Sequence, residues 1–178
     1  MNWLTDGLGV LGILTTFCVY QQKERKNLLI WKLITDTVWI LHYFTLGAYS
    51  ACAITVVAIF RSIVFLNAKH PWAQSKAWLY IFMAASLLFS LIAWQNPYRL
   101  LTLISSQACI IAYWIKSPKM TRLITIPAAI LYLIYTIAYH SIEGTVCEVF
   151  TIVSSIVGLI RHDIKPGTRI NKKKEKTV

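Results

Sequence analysis

Acid is scarce in this chain. Seven Asp and Glu residues stand against eighteen Lys and Arg among 178 residues, leaving a formal net charge of +11. The seven glycines form no phosphate-cradling loop, and the four histidines do not gather with Cys, Asp or Glu at metal-ligand spacing. No nucleophile stands near a base in sequence. The four cysteines, Cys18, Cys52, Cys109 and Cys147, make no CxxC pair. They lie in or beside apolar segments and read as small packing residues. No enzyme, metal site or cofactor is expected from this inventory. The opening MNWLTDGLGVLG carries Asp6 where a secretory signal has positive charge, so the first segment is expected to be retained.

What the chain has instead is apolar length. Hydrophobic residues make up 57% of it, and the mean hydropathy is +0.57. A soluble chain of this size sits nearer half apolar. The apolar residues fall into seven blocks, at 4–20, 28–46, 50–67, 77–94, 99–115, 121–139 and 143–161. Each is near the roughly 17–25 residues a bilayer-crossing helix needs. The expected fold class is therefore all-α, a polytopic membrane protein with seven transmembrane helices and too little remaining chain for a soluble catalytic domain.

Charge placement orients these helices. Lys23, Arg25 and Lys26 follow the first, Lys69 and Lys76 the third, and Lys116, Lys119 and Arg122 the fifth. Arg161, Lys165, Arg169 and Lys172 to Lys174 follow the seventh, whereas the opposite side carries only Arg99. Cationic loops stay cytoplasmic, which puts the N-terminus in the periplasm and the C-terminus in the cytoplasm. The basic tail reads as an anchor beside anionic lipid, so the bilayer is the expected partner and nucleic acid is not. Trp94 and Tyr98 outside, and Trp72, Trp78 and Trp114 inside, suit the interfacial aromatic belts.

The chain also reads twice. Sliding residues 8–70 by 93 positions onto 101–163 needs no gap, and it lays Val56, Ile59, Ser62, Ile63, Val64 and Leu66 on Val149, Ile152, Ser155, Ile156, Val157 and Leu159. QQKERKN falls on WIKSPKM, aligning Lys23 with Lys116 and Lys26 with Lys119. Three helices per copy is an odd number, so a directly following copy would enter the membrane inverted. The uncharged stretch AWLYIFMAASLLFSLIAW supplies one further crossing and restores direction. The expected layout is a first three-helix bundle at 1–70, a linker helix at 71–96, a second bundle at 97–163 and a basic tail at 164–178. The bundles would be related by an axis along the membrane normal. Both halves are already present in one chain, so a monomer could be the functional unit.

This 3+1+3 plan, the short basic first loop and the run LITDTVWILHYFTLGAYSACAITVVAIFRSIV resemble the YgjV family of bacterial inner-membrane proteins, distant relatives of the SWEET sugar facilitators and PQ-loop proteins. The resemblance covers 4–163. Tyr20-Gln21 stands where PQ-loop proteins have Pro-Gln, and Tyr113-Trp114 stands at the equivalent place in the second copy, so both prolines are missing. The resemblance implies an inner-membrane location and a site between the bundles, and carries over no sugar specificity.

Ionisable side chains at membrane depth cost about 2.5–3.5 kcal/mol on insertion scales, so each needs a reason. Lys32 and Asp36 are four apart on one helical face, which Trp39 and Tyr43 continue. Asp36 lies about 12 Å and Arg61 about 9–10 Å from the inner surface at 1.5 Å per residue. Their counterparts are Ala129 and Ser154, both uncharged, so an Asp36–Arg61 pair is expected, either tying two helices or walling a cavity. Glu148 and His42 lie at similar outer depth, suited to a polar solute, a proton relay or interfacial water. Gln107, near mid-membrane, suits a substrate contact or an interhelical hydrogen bond. Gly7, Gly9 and Gly12 read as close-packing positions, and Pro127 as a hinge or a packing bend. Asp36, Trp39, His42, Arg61, Gln107 and Glu148 are thus the candidate site of a facilitator for a small polar metabolite. The competing reading is a non-transporting scaffold or receptor, with a dry seam between the bundles.

Overall fold

The computed structural model describes residues 3–92 and 97–164. Seven α-helices occur among them: α1 (Trp3–Tyr20), α2 (Arg25–Thr45), α3 (Tyr49–Leu66), α4 (Ala77–Ile92), α5 (Arg99–Trp114), α6 (Pro118–Ala138) and α7 (Ile142–Leu159). A short 3-10 turn, Pro71–Ala73, precedes α4, and a π-helical turn, Ile160–Ile164, prolongs α7. Each apolar block of the sequence overlaps one of these helices. Trp94 and the tail lysines lie outside the described residues.

The repeat is visible in the backbone. Moving by 93 positions carries Arg25–Thr45 onto Pro118–Ala138 and Tyr49–Leu66 onto Ile142–Leu159, end for end. The turns agree as well. After α2, Gly47 adopts φ 68°, and at the equivalent place after α6, His140 adopts φ 53°. Ala48 N–H then donates to Tyr43 O, and Ser141 N–H to Thr136 O, both at 2.9 Å. This is the left-handed C-terminal stop that glycine adopts freely and a side chain does not. Histidine there carries about 1–2 kcal/mol of backbone strain. The variant His140→Gly is expected to raise the melting temperature in detergent by a few degrees, while His140→Ala gains nothing.

Packing follows the same plan twice. α2 lies between α1 and α3, and α6 between α5 and α7. The halves meet where α1 packs on α7. The equivalent seam, between α3 and α5, is looser, and α4 packs alongside α5 there. Polarity is inverted relative to a soluble bundle. Thr35, Thr125, Ser154 and Ser155 are buried, whereas Leu88, Ile92, Leu123, Ile137 and Val153 are exposed. A surface this apolar is stable against lipid and not against water. The interior hydroxyls bond carbonyls within or between helices, as in Thr16 Oγ1 to Gly12 O (2.7 Å) and Ser105 Oγ to Ala128 O (2.7 Å).

Three helices meet the length and composition of a membrane span by themselves: Trp3–Tyr20, Pro118–Ala138 and Ile142–Asp163. Ile54–Leu66 and Ala77–Ile92 are shorter apolar helices. α2 is long enough at 21 residues but carries Arg25, Lys26, Lys32 and Asp36. Lys26 is exposed at the first turn, whereas Arg25, Lys32 and Asp36 are wholly or partly buried, which lowers the cost of showing charge to lipid.

The apolar core is concentrated at one end. Leu28, Leu29, Val64, Phe65, Phe82 and Ile110 pack there around Tyr20 and Tyr113. We call this the basic end, since the Lys23, Lys69 and Lys116 loops flank it. Trp114, partly buried, packs on this core against Phe65 (ring centroids 5.3 Å). Trp72 is half exposed and receives the Trp78 indole N–H on its carbonyl at 2.8 Å.

Candidate functional site

Above that core the helices separate around a cavity of about 690 Å³. Every helix except α4 contributes to its wall. It runs from Tyr20 and Tyr113, which are almost fully buried, to Tyr139, Ser141 and Glu143, which are exposed at the far end. The cavity is therefore closed toward the basic end and open toward the other.

The floor is built by the repeat itself. Tyr20 and Tyr113 are equivalent residues, 93 apart, and their hydroxyls share a hydrogen bond of 2.7 Å. A residue that meets its own counterpart marks the pseudo-twofold axis, as in an isologous interface. Two arginines lock the helix ends beneath. From α2, Arg25 donates to Phe65 O (3.1 Å) and to Tyr113 O (3.2 Å). From α6, Arg122 donates through Nε to Tyr20 O (2.8 Å), through Nη2 to Gln22 O, and through Nη1 to Asp163 (2.6 Å). Each half thus sends a guanidinium to the carbonyl of the other half's floor tyrosine. These carbonyls end helices and lack intrahelical donors, and a cation at a helix C-terminus also meets the dipole favourably.

The α1–α7 seam is closed beside this floor. Gln21 Nε2 donates to Ser154 O at 3.0 Å, and Ser154 Oγ donates to Phe17 O at 2.5 Å. His162, expected to be solvated at a helix end, bonds Gln21 O at 2.8 Å through its Nε2. A Cβ on Gly158 would lie 2.2 Å from Tyr20 O, so this position must be glycine.

Of the six candidates, Trp39, Arg61 and Glu148 line the cavity. Arg61 extends over the Tyr113 ring, 5.3 Å from its centroid, and its Nε has no hydrogen-bond partner. The expected Asp36–Arg61 ion pair is not formed. Asp36 is buried behind the wall and pairs with Lys32, one turn back on its own helix, while Lys32 reaches the cavity. An i,i+4 pair on one helix needs no approach between helices, so it forms first. Glu148 makes no hydrogen bond or ion pair among the described residues, and the cation it feels is Lys32.

The other candidates serve packing. His42 is fully buried outside the cavity wall. Its Nδ1 contacts Thr5 O at 3.0 Å and its Nε2 contacts Glu143 at 3.3 Å. Its acidic neighbour is therefore Glu143 at the mouth, not Glu148. Gln107 turns toward α4 and donates to Met83 O at 3.1 Å, taking the interhelical alternative. Gly9 and Gly12 admit the rings of His42 and Trp39, whereas Gly7 faces open space, off the α1–α2 stripe. Pro127 is exposed and α6 is continuous through it.

Sequence reasoning counted Arg25 and Arg122 as loop charge and missed both locks. A signal was present for Arg122: its counterpart is the core residue Leu29, and Gly158 stands opposite the core residue Phe65. Charge has replaced an apolar residue where a glycine has replaced a large one. Tyr20 and Tyr113, identical and equivalent at helix ends, were equally readable as a meeting pair.

The family model Imp-YgjV, described as a bacterial inner membrane protein, matches residues 3–165. The chain is 23% identical over 163 residues to "Inner membrane protein YgjV" of Escherichia coli (strain K12), covering 89% of this chain and 84% of that protein. No solved structure matches.

Proposed function

We propose that this chain, which belongs to the Imp-YgjV family of bacterial inner membrane proteins, is a facilitator for a small polar metabolite. One observation carries the reading. A wide cavity with a polar and aromatic wall lies between two equivalent helix triplets and is sealed at one end only. A scaffold has no use for such a void, because an unfilled interior forfeits packing. A carrier needs one, and needs it closed to one side at a time. By the positive-inside rule the sealed end faces the cytoplasm, so the cavity is open to the periplasm. Rocking of α1–α3 against α5–α7 about the Tyr20–Tyr113 contact would open the floor and close the mouth.

Two cysteines report on this directly. Cys109 and Cys147 line the cavity and are partly buried. With Cys18 and Cys52 replaced by alanine, a membrane-impermeant thiol reagent is expected to label Cys147 from the periplasmic side. With Tyr20→Phe and Tyr113→Phe, labelling in right-side-out vesicles should fall several-fold, while labelling of Cys109 in inside-out vesicles rises. Purified protein in liposomes should also accelerate equilibration of at least one small polar solute over protein-free vesicles. Labelling unmoved by the tyrosine changes, together with flux no faster than the control for every solute class, would defeat the proposal.

A further inference from the structure

Resting on that reading, we infer that the solute is a compact zwitterion of α-amino-acid type, its carboxylate held by Arg61 and its ammonium by Glu148. The argument begins with the charges on the wall. Lys32 is ion-paired with Asp36 and acts on Glu148 only from a distance, with no ion pair between them. Arg61 and Glu148 then remain, one of each sign, and neither makes an ion pair among the described residues. Glu143, the other acid on the lining, is at the mouth beside His42. Arg99, likewise without an ion pair among the described residues and with an unpartnered buried Nε, stacks on Tyr135 and lines a smaller adjoining pocket that Arg61 and Tyr132 share, not the main cavity.

Two uncompensated charges of opposite sign on one cavity wall call for a ligand with both. A simple anion would answer Arg61 and leave Glu148 bare, and a simple cation the reverse. Their spacing suits one small molecule. By the repeat, Glu148 stands level with Thr55, six residues from Arg61 on α3, or about 9 Å along the helix axis. The two make no ion pair with each other in the structure. Both side chains line one cavity of about 690 Å³, which has room for a small molecule touching each.

The surroundings of each charge differ in the same sense. Tyr43 and Tyr132 lie within electrostatic range of Glu148 and line the cavity with Trp39. Aromatic rings beside a carboxylate favour an ammonium. At the other end the Arg61 guanidinium lies over the Tyr113 ring, and its Nε is buried without a hydrogen-bond partner. Arginine with free donors is suited to a carboxylate.

The test uses the full-length protein in detergent, with the twenty standard amino acids as probes. At least one is expected to raise the melting temperature. Its amide, which keeps only the ammonium, and its N-acetyl derivative, which keeps only the carboxylate, should each bind at least tenfold more weakly by calorimetry. Glu148→Gln should narrow the gap to the N-acetyl derivative, and Arg61→Gln the gap to the amide. Glu148→Thr and Arg61→Ser, the residues the other repeat carries, repeat the test should either glutamine variant misfold. The inference falls if no amino acid binds, or if one binds equally well after Glu148→Gln. The same probes in liposomes separate the two claims. Binding without flux refutes the facilitator and leaves the zwitterion site. Flux of a singly charged solute, indifferent to Glu148→Gln, refutes the zwitterion and leaves the facilitator.

Discussion

Gly158→Ala is expected to prevent accumulation of folded protein in the membrane. The added Cβ would sit 2.2 Å from Tyr20 O and 2.8 Å from Arg122 Nε. A backbone oxygen cannot rotate aside, and this one is fixed by the Arg122 guanidinium. Relief requires moving α1 off α7, which also loosens the Gln21–Ser154 and Ser154–Phe17 hydrogen bonds. Overpacking of a rigid seam costs about 1–3 kcal/mol and occasionally more, and loss of the lock adds to it. Size-exclusion profiles of a fluorescent fusion in detergent would show this as loss of the monodisperse peak. Gly7→Ala is the matched control, since nothing lies within 4 Å of a Cβ there. It should be neutral or stabilising by up to about 1 kcal/mol, through helix propensity. Equal behaviour of the two variants would show that the α1–α7 seam is not as close as described.

Arg122→Gln is the second large effect. Arg122 is fully buried and holds Tyr20 O, Gln22 O and Asp163 at once. Its loss leaves a largely buried carboxylate, the last carbonyl of α1 and the Gln22 carbonyl of the following turn without donors. Removing one partner of a buried ion pair costs about 3–5 kcal/mol. Asp163 retains some access to solvent, which places the expected loss toward the lower figure. A drop in melting temperature of roughly 10 °C is expected, at about 2–4 °C per kcal/mol for a chain of this length. The double variant Arg122→Gln with Asp163→Asn should recover part of it, since the stranded charge is then gone. No recovery would mean that the two carbonyls, rather than the ion pair, are what Arg122 serves. Arg25→Gln should cost less, because Arg25 bonds carbonyls and no acid.

Both effects fall on the floor of the cavity, and that has a functional corollary. A carrier must open the very contacts that stabilise its resting state. Three hydrogen bonds from two arginines and one between two tyrosines cross the floor from one half to the other. Solute binding between Arg61 and Glu148 would have to favour the other arrangement differentially. Arg61 stacks on Tyr113, one member of the floor pair, so a ligand that draws the guanidinium away acts directly on the closure.

Much of this architecture was legible in the residues alone. Helix number, the gapless 93-residue repeat and the spacer helix follow from one-dimensional quantities: block length, charge at loops and self-similarity. The bilayer enforces these because a spanning chain must satisfy its backbone within each helix, and helices of the required length leave their mark on composition. The positions of Gly9, Gly12, Arg61 and Glu148 followed too, as depth along a helix is proportional to residue number. What needed the tertiary structure was rotation about each helix axis and the partner met there. Depth alone made Asp36 a partner for Arg61, whereas Lys32 on the same helix takes Asp36 and Arg61 lies on Tyr113. It grouped His42 with Glu148, but His42 turns to α1 and Glu143. The arginine locks were invisible for the same reason. A side chain as long as Arg122 reaches carbonyls about 100 residues away in sequence, and only the packing angle between α6 and α1 decides which ones it finds.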